Sequence, residues 1–148
     1  MTLAQFHSAF VYNRRRRRLL VALLDELAGI AERSTKMRVV VFGSFMTDKE
    51  MPGDVDALVC AVAKDEFVLE LQENGFPRRQ PDDVDMFTYL SVRFLFTPER
   101  LVDEFNTNYK NRENQVVLEN GICLTDVDDY RERMKKGFLK RGSGSSGS

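Results

Sequence analysis

Two short, nearly continuous apolar runs, 39–42 (Val-Val-Val-Phe) and 55–60 (Val-Asp-Ala-Leu-Val-Cys), constrain this chain most. A polar loop that opens on Gly43-Ser44 and closes on Pro52-Gly53 separates them. Such runs predict central strands covered on both faces, with the loop returning through a turn at Pro52-Gly53. Upstream, the segment 9–33 carries Leu20, Leu23, Leu24, Leu27 and Ile30 at helical spacing, a stripe that would pack on the sheet. Downstream, 64–74 reads as a helix with Phe67, Val68 and Leu71 inward and Gly75 as its stop.

A third strand is expected over 83–90, followed by extended chain over 91–96. Thr97 and Pro98 then fit the cap and first position of a helix running to about residue 109. Asn120-Gly121 between the short apolar runs 115–118 and 122–124 signals a hairpin, and Thr125 caps a last helix over 126–140. The order helix, strand, strand, helix, strand, helix, hairpin, helix predicts an α/β (α+β) domain. Its mixed β-sheet is flanked by helices, with a C-terminal β-hairpin and helix.

The 148 residues, 43% of them hydrophobic, suit one domain spanning 1–141. Residues 142–148 (Gly-Ser-Gly-Ser-Ser-Gly-Ser) have the composition of a flexible linker tail and carry no functional reading. No run is apolar enough to span a membrane, and none reads as a signal peptide, so a cytoplasmic protein without membrane partners is expected. Cys60 and Cys123 sit in separate apolar runs and are expected as reduced core thiols. His7 is the single histidine, expected at the surface, which removes Ser-His-Asp catalysis and histidine-rich metal sites.

The chemistry concentrates around the two apolar runs. In a strand, Asp54 and Asp56 point to one face and Val55 and Ala57 to the other. Neighbouring carboxylates repel and resist desolvation, so such a pair calls for a cation, and oxygen donors suit Mg2+ or Mn2+. Gly43 allows a close backbone approach to a phosphate, and Ser44 adds a hydroxyl and an amide at a helix start. Asp83, Asp85 and Phe87 share a face of the third strand, and Asp85, deeper in the apolar run, is the better placed to reach the metal.

The combination Phe42-Gly43-Ser44, Asp54-Val55-Asp56-Ala57 and Val84-Asp85-Met86 resembles the DNA polymerase β-like nucleotidyltransferase superfamily, in particular its small prokaryotic members. The resemblance covers residues 36–90. It implies that Asp54, Asp56 and Asp85 are the catalytic metal ligands and that Gly43 and Ser44 contact the β and γ phosphates of a nucleoside triphosphate. It further implies transfer of a nucleoside monophosphate to a hydroxyl of RNA, such as tRNA, or of a partner protein. Small relatives act in toxin–antitoxin or phage-defence pairs. The chain departs from the pattern after Gly-Ser: where relatives have a small residue, Arg and Gly, it has Phe45-Met46-Thr47-Asp48-Lys49. Lys49 could replace the missing charge, though not the bidentate geometry of arginine.

Arg14, Arg15, Arg16, Arg17 and Arg18 form the most conspicuous charge run. On a helix they surround about 1.4 turns and cannot share one solvated face. Two readings stand open: a nucleic-acid contact, and a solvated helix entry whose stems pack over apolar neighbours. The net charge of −1 means that any nucleic-acid binding uses a local patch. Arg78, Arg79 and Arg93 flank the Asp85 strand and could supply phosphate-side charge or form salt bridges. The alternative to an enzyme is a degenerate nucleotidyltransferase-fold module that binds a protein partner or nucleic acid. A metal-dependent nuclease would use the same carboxylates but leaves the Gly-Ser turn unexplained.

Overall fold

The computed structural model describes residues 3–76, 78, 81–92, 100, 101, 103 and 116–118. The chain opens with two helices, α1 (Leu3–Phe10) and α2 (Arg14–Glu32), where the sequence predicted one over 9–33. Asn13 makes the break: it is extended (φ −149°, ψ 174°) and its side chain accepts from the Arg16 amide, capping α2. An N-cap residue must leave helical geometry, so its side chain replaces the continuation of one helix by the start of the next.

Strand β1 (Ser34–Phe42) follows α2 directly, with Ser34 Oγ donating to the Ile30 carbonyl at 2.7 Å across the turn. Next come a single 3-10 turn (Gly43–Met46), β2 (Val55–Ala63), a second 3-10 turn (Asp65–Phe67), α3 (Val68–Asn74), β3 (Val84–Val92) and β4 (Val116–Leu118). Strand β1 starts well before its apolar run because the ladder to β2 continues back to Ser34↔Ala63, where Thr35 and Lys36 stand exposed. Backbone pairing needs no apolar side chain where a strand runs past the core.

The four strands among the described residues form one mixed sheet in the order β3-β2-β1-β4. Strand β1 is antiparallel to both β2 and β4, and β2 is parallel to β3. A parallel pair needs a crossover, which α3 supplies. Gly75 stops α3 at φ 72°, its amide donating to the Leu71 carbonyl at 2.8 Å. Of the predicted inward stripe, Leu71 is buried, and Phe67 and Val68 pack partly buried against the same core.

The central strands are covered on both faces, as their composition predicted. Leu20, Leu23, Leu24, Leu27 and Ile30 of α2 pack with Val39, Val41, Val55, Ala57, Val59 and Ala61 on one side. Val40, Leu58 and Cys60 pack with Leu101 on the other, and Cys60 is a buried thiol outside any disulfide. A partly buried polar bridge joins α2 to β3. Arg78 Nε lies 3.5 Å from Glu26 Oε1, while its two terminal nitrogens donate to the Val84 and Met86 carbonyls.

Strand β4 covers the first run of the predicted hairpin and pairs with β1 at the sheet edge. The rest of the hairpin, Cys123 and the last helix lie outside the described residues, as does most of the helix expected after Thr97, within which Arg100, Leu101 and Asp103 are helical. No helix among the described residues is long and apolar enough to cross a membrane.

Candidate metal centre

The register of the sheet places the acidic residues. Phe42, the last residue of β1, pairs with Asp56, and Asp56 pairs with Asp85 on its other side. Asp54 precedes β2 by one residue and lies on the Asp56 side by alternation, beside the point where the Val55 amide donates to the Asp83 carbonyl. One carboxylate oxygen each from Asp54, Asp56 and Asp85 falls within 4.8 Å of the others. Asp54 and Asp56 are partly buried and Asp85 is exposed, on the same face of β3 as Phe87. Val84 and Met86 point into the core, so the alternation read from the sequence is the one the strand adopts.

Burial pushes the Asp56 carboxyl up to about 6, with the Asp54 and Asp85 charges and a hydrogen bond to Asp85 acting in the same direction. Without a cation, the cluster is eased by a proton on its central member. A divalent cation removes the same repulsion, and an all-carboxylate donor set suits Mg2+ or Mn2+. The three residues therefore fit the metal that the motif implies.

Gly43 follows Phe42 and is pressed against the cluster. Its φ is 80°, and a Cβ built on it would overlap the Asp56 carboxylate and lie 3.2 Å from its Cγ. Glycine is required here twice, by the backbone conformation and by the close approach. Ser44 is partly buried, and its carbonyl accepts from the Thr47 amide at 3.1 Å and from Thr47 Oγ1 at 2.7 Å. The helix start expected at Ser44 is only this four-residue 3-10 turn. Phe45 and Met46, the second of which stands at the position of the Arg in the motif, are buried. Lys49 is exposed, and the contacts it makes run through its backbone: its amide donates to Thr47 Oγ1 and its carbonyl accepts from Arg16.

The arginine run divides by position. Arg14 and Arg18 are exposed, Arg15 is partly buried, and Arg16 and Arg17 are buried. Arg16 is fully enclosed and donates to the carbonyls of Phe10, Phe45, Thr47 and Lys49, so it is not available to a nucleic-acid backbone in this fold. Arg15 donates to the Pro52 and Gly53 carbonyls. That the five arginines cannot share one solvated face was legible from their crowding on one helix. That Arg15 and Arg16 turn onto loop carbonyls was not, because backbone oxygens leave no mark in a sequence.

One further expectation changes, and the salt-bridge reading of Arg78 holds with an unexpected partner. His7 is partly buried rather than at the surface, and burial, followed by the Arg17 charge, lowers its imidazole below the usual range. Arg78 pairs with Glu26, a helix residue no local pattern had joined to it; Arg79 and Arg93 lie outside the described residues.

No curated protein and no solved structure matches the chain. Residues 1–76, just over half of its 148 residues, match the model of DUF6932, a family of unknown function. That span holds Gly43, Ser44, Asp54 and Asp56 and ends before Asp85. The chain belongs to the DUF6932 family.

Proposed function

We propose that the chain is a divalent-cation-dependent nucleotidyltransferase of the DNA polymerase β-like type. It would move a nucleoside monophosphate from a nucleoside triphosphate to a hydroxyl of RNA, such as tRNA, or of a partner protein. The toxin–antitoxin or phage-defence setting belongs to the same proposal. The observation that carries it is the packing of the Gly43 backbone against the Asp56 side of a three-carboxylate cluster. A metal site alone would not need a glycine turn at that point; a site that also receives a phosphate chain does.

Asp54, Asp56 and Asp85 would hold the cation, which when bound supplies positive charge to the attacking and leaving oxygens of an in-line displacement. Gly43 and Ser44 offer backbone amides and a hydroxyl to the phosphates, with no Cβ between the turn and the carboxylates. Asp85, the exposed member, is open to an acceptor hydroxyl and to its proton. A bond forms from that oxygen to the α-phosphorus as the bond to the bridging oxygen breaks and pyrophosphate leaves.

One observation favours a second reading. Phe45 and Met46 close the Gly-Ser turn with buried apolar side chains, leaving no phosphate-side cation there, as in a module that has kept its fold and lost turnover. Incubation with each α-labelled nucleoside triphosphate and Mg2+ or Mn2+, with and without tRNA and partner proteins, separates the two. Label transfer that disappears in Asp54→Ala, with the fold retained, is expected. Absence of transfer by a folded protein that binds Mn2+ with every acceptor tested would favour the module.

A further inference from the structure

The loop joining the two halves of the acidic site, residues 45–53, hangs from the first turn of α2. Asn13 Nδ2 donates to the Glu50 carbonyl at 2.7 Å. Arg15 donates to Pro52 at 2.9 Å and to Gly53 at 2.6 Å. Arg16 Nη1 reaches the Phe45 carbonyl, and its Nη2 reaches those of Thr47 and Lys49, each at 2.7 Å. Six of the nine carbonyls in 45–53 are thus held by three side chains of one helix entry. Arg16 is also fixed from its faces, its Cζ 4.5 Å from the Tyr12 ring centroid and 4.9 Å from that of Phe45.

We infer that Arg15 and Arg16, assisted by Asn13, are positioning residues of the metal centre, setting where the Gly43–Ser44 turn and Asp54 stand relative to each other. This rests on the proposed metal-site reading. The loop leaves the turn at Phe45 and re-enters the site at Gly53, the residue before Asp54, and both of those carbonyls are arginine-held. A planar guanidinium offers five donors in a fixed fork, so Arg16 can satisfy carbonyls from three loop residues at once while remaining rigid; a lysine cannot hold that arrangement. Residues that orient metal ligands from behind typically change metal affinity about 10–100-fold when altered.

Charge gives the test its sign. Arg15→Gln removes a positive charge near an acidic cluster, which by electrostatics alone tightens dication binding. A positioning role loosens it. Arg16→Lys keeps the charge and removes the fork, so any loosening there is geometric.

The experiment is Mn2+ binding to the full chain, read from the electron paramagnetic resonance signal of free Mn2+, with folding checked by circular dichroism. Wild type is compared with Arg15→Gln, Arg16→Lys and, as exposed controls, Arg14→Gln and Arg18→Gln. The expected result is affinity weakened about 10-fold or more in Arg15→Gln and in folded Arg16→Lys, with the controls equal to wild type or tighter. Should Arg16→Lys fail to fold, Arg15→Gln, at the partly exposed end, decides alone. Wild-type affinity in Arg15→Gln, even with a lowered melting temperature, overturns the inference and leaves the metal site standing. Wild type that binds Mn2+ no better than Asp54→Asn overturns the metal-site reading and the inference together.

Discussion

The place of the Asp56 carboxylate requires a glycine at position 43. At φ 80°, with the Asp56 carboxylate where a side chain would begin, Gly43→Ala incurs both backbone strain and displacement of that carboxylate. A loss of about 1–3 kcal/mol in urea unfolding is expected, together with weaker Mn2+ binding. Asp56 sets the pH response. Its carboxyl titrates near 3.8 in an unfolded chain and near 6 in the fold, so folding favours the protonated form. Its contribution to the metal-free protein is full below pH 3.8 and is lost as pH rises through about 6. Denaturant midpoints should carry a downward step over that window which Asp56→Asn removes. Mn2+ affinity should rise over the same window, because the cation displaces the proton. A pH-independent Mn2+ affinity would count against a shared proton in the cluster.

Helix α2 does three jobs from three parts of its length. Its leucines cover the sheet, its first turn holds the loop 45–53, and Glu26 meets Arg78 beside the Asp85 strand. Asn13→Ala should cost about 1 kcal/mol through loss of the N-cap. Glu26→Ala should cost about 1–3 kcal/mol, because Arg78 would keep its desolvation and lose its carboxylate. Both are read from denaturant unfolding, and a Glu26→Ala midpoint equal to wild type would mean that water replaces the pair. The apolar stripe of α2 was legible in the sequence because it repeats with the helix period. The break at Asn13 carried a weaker signal, a single capping residue set between two segments that each read as helix.

At the scale of the molecule, a sheet covered on both faces should protect what lies within it. In a Cys123→Ser background, Cys60 is expected to react with a thiol reagent only as fast as the protein opens, and at the rate of a free thiol in denaturant. Rapid native labelling would show that the Leu58 face opens locally. The sequence by itself determined the strand cores, the covered central pair and the common face of Asp54 and Asp56, because period-two alternation and apolar runs are properties of consecutive residues. It also marked Asp85 as the carboxylate of its strand better placed to join Asp54 and Asp56. Only the tertiary structure decided that Asp85 stands in register with Asp56, that Gly43 closes on the Asp56 carboxylate, and that Arg15 and Arg16 turn onto the loop. Strand register between distant segments and hydrogen bonds to backbone carbonyls depend on how the chain returns to itself, and no local pattern of side chains encodes that return.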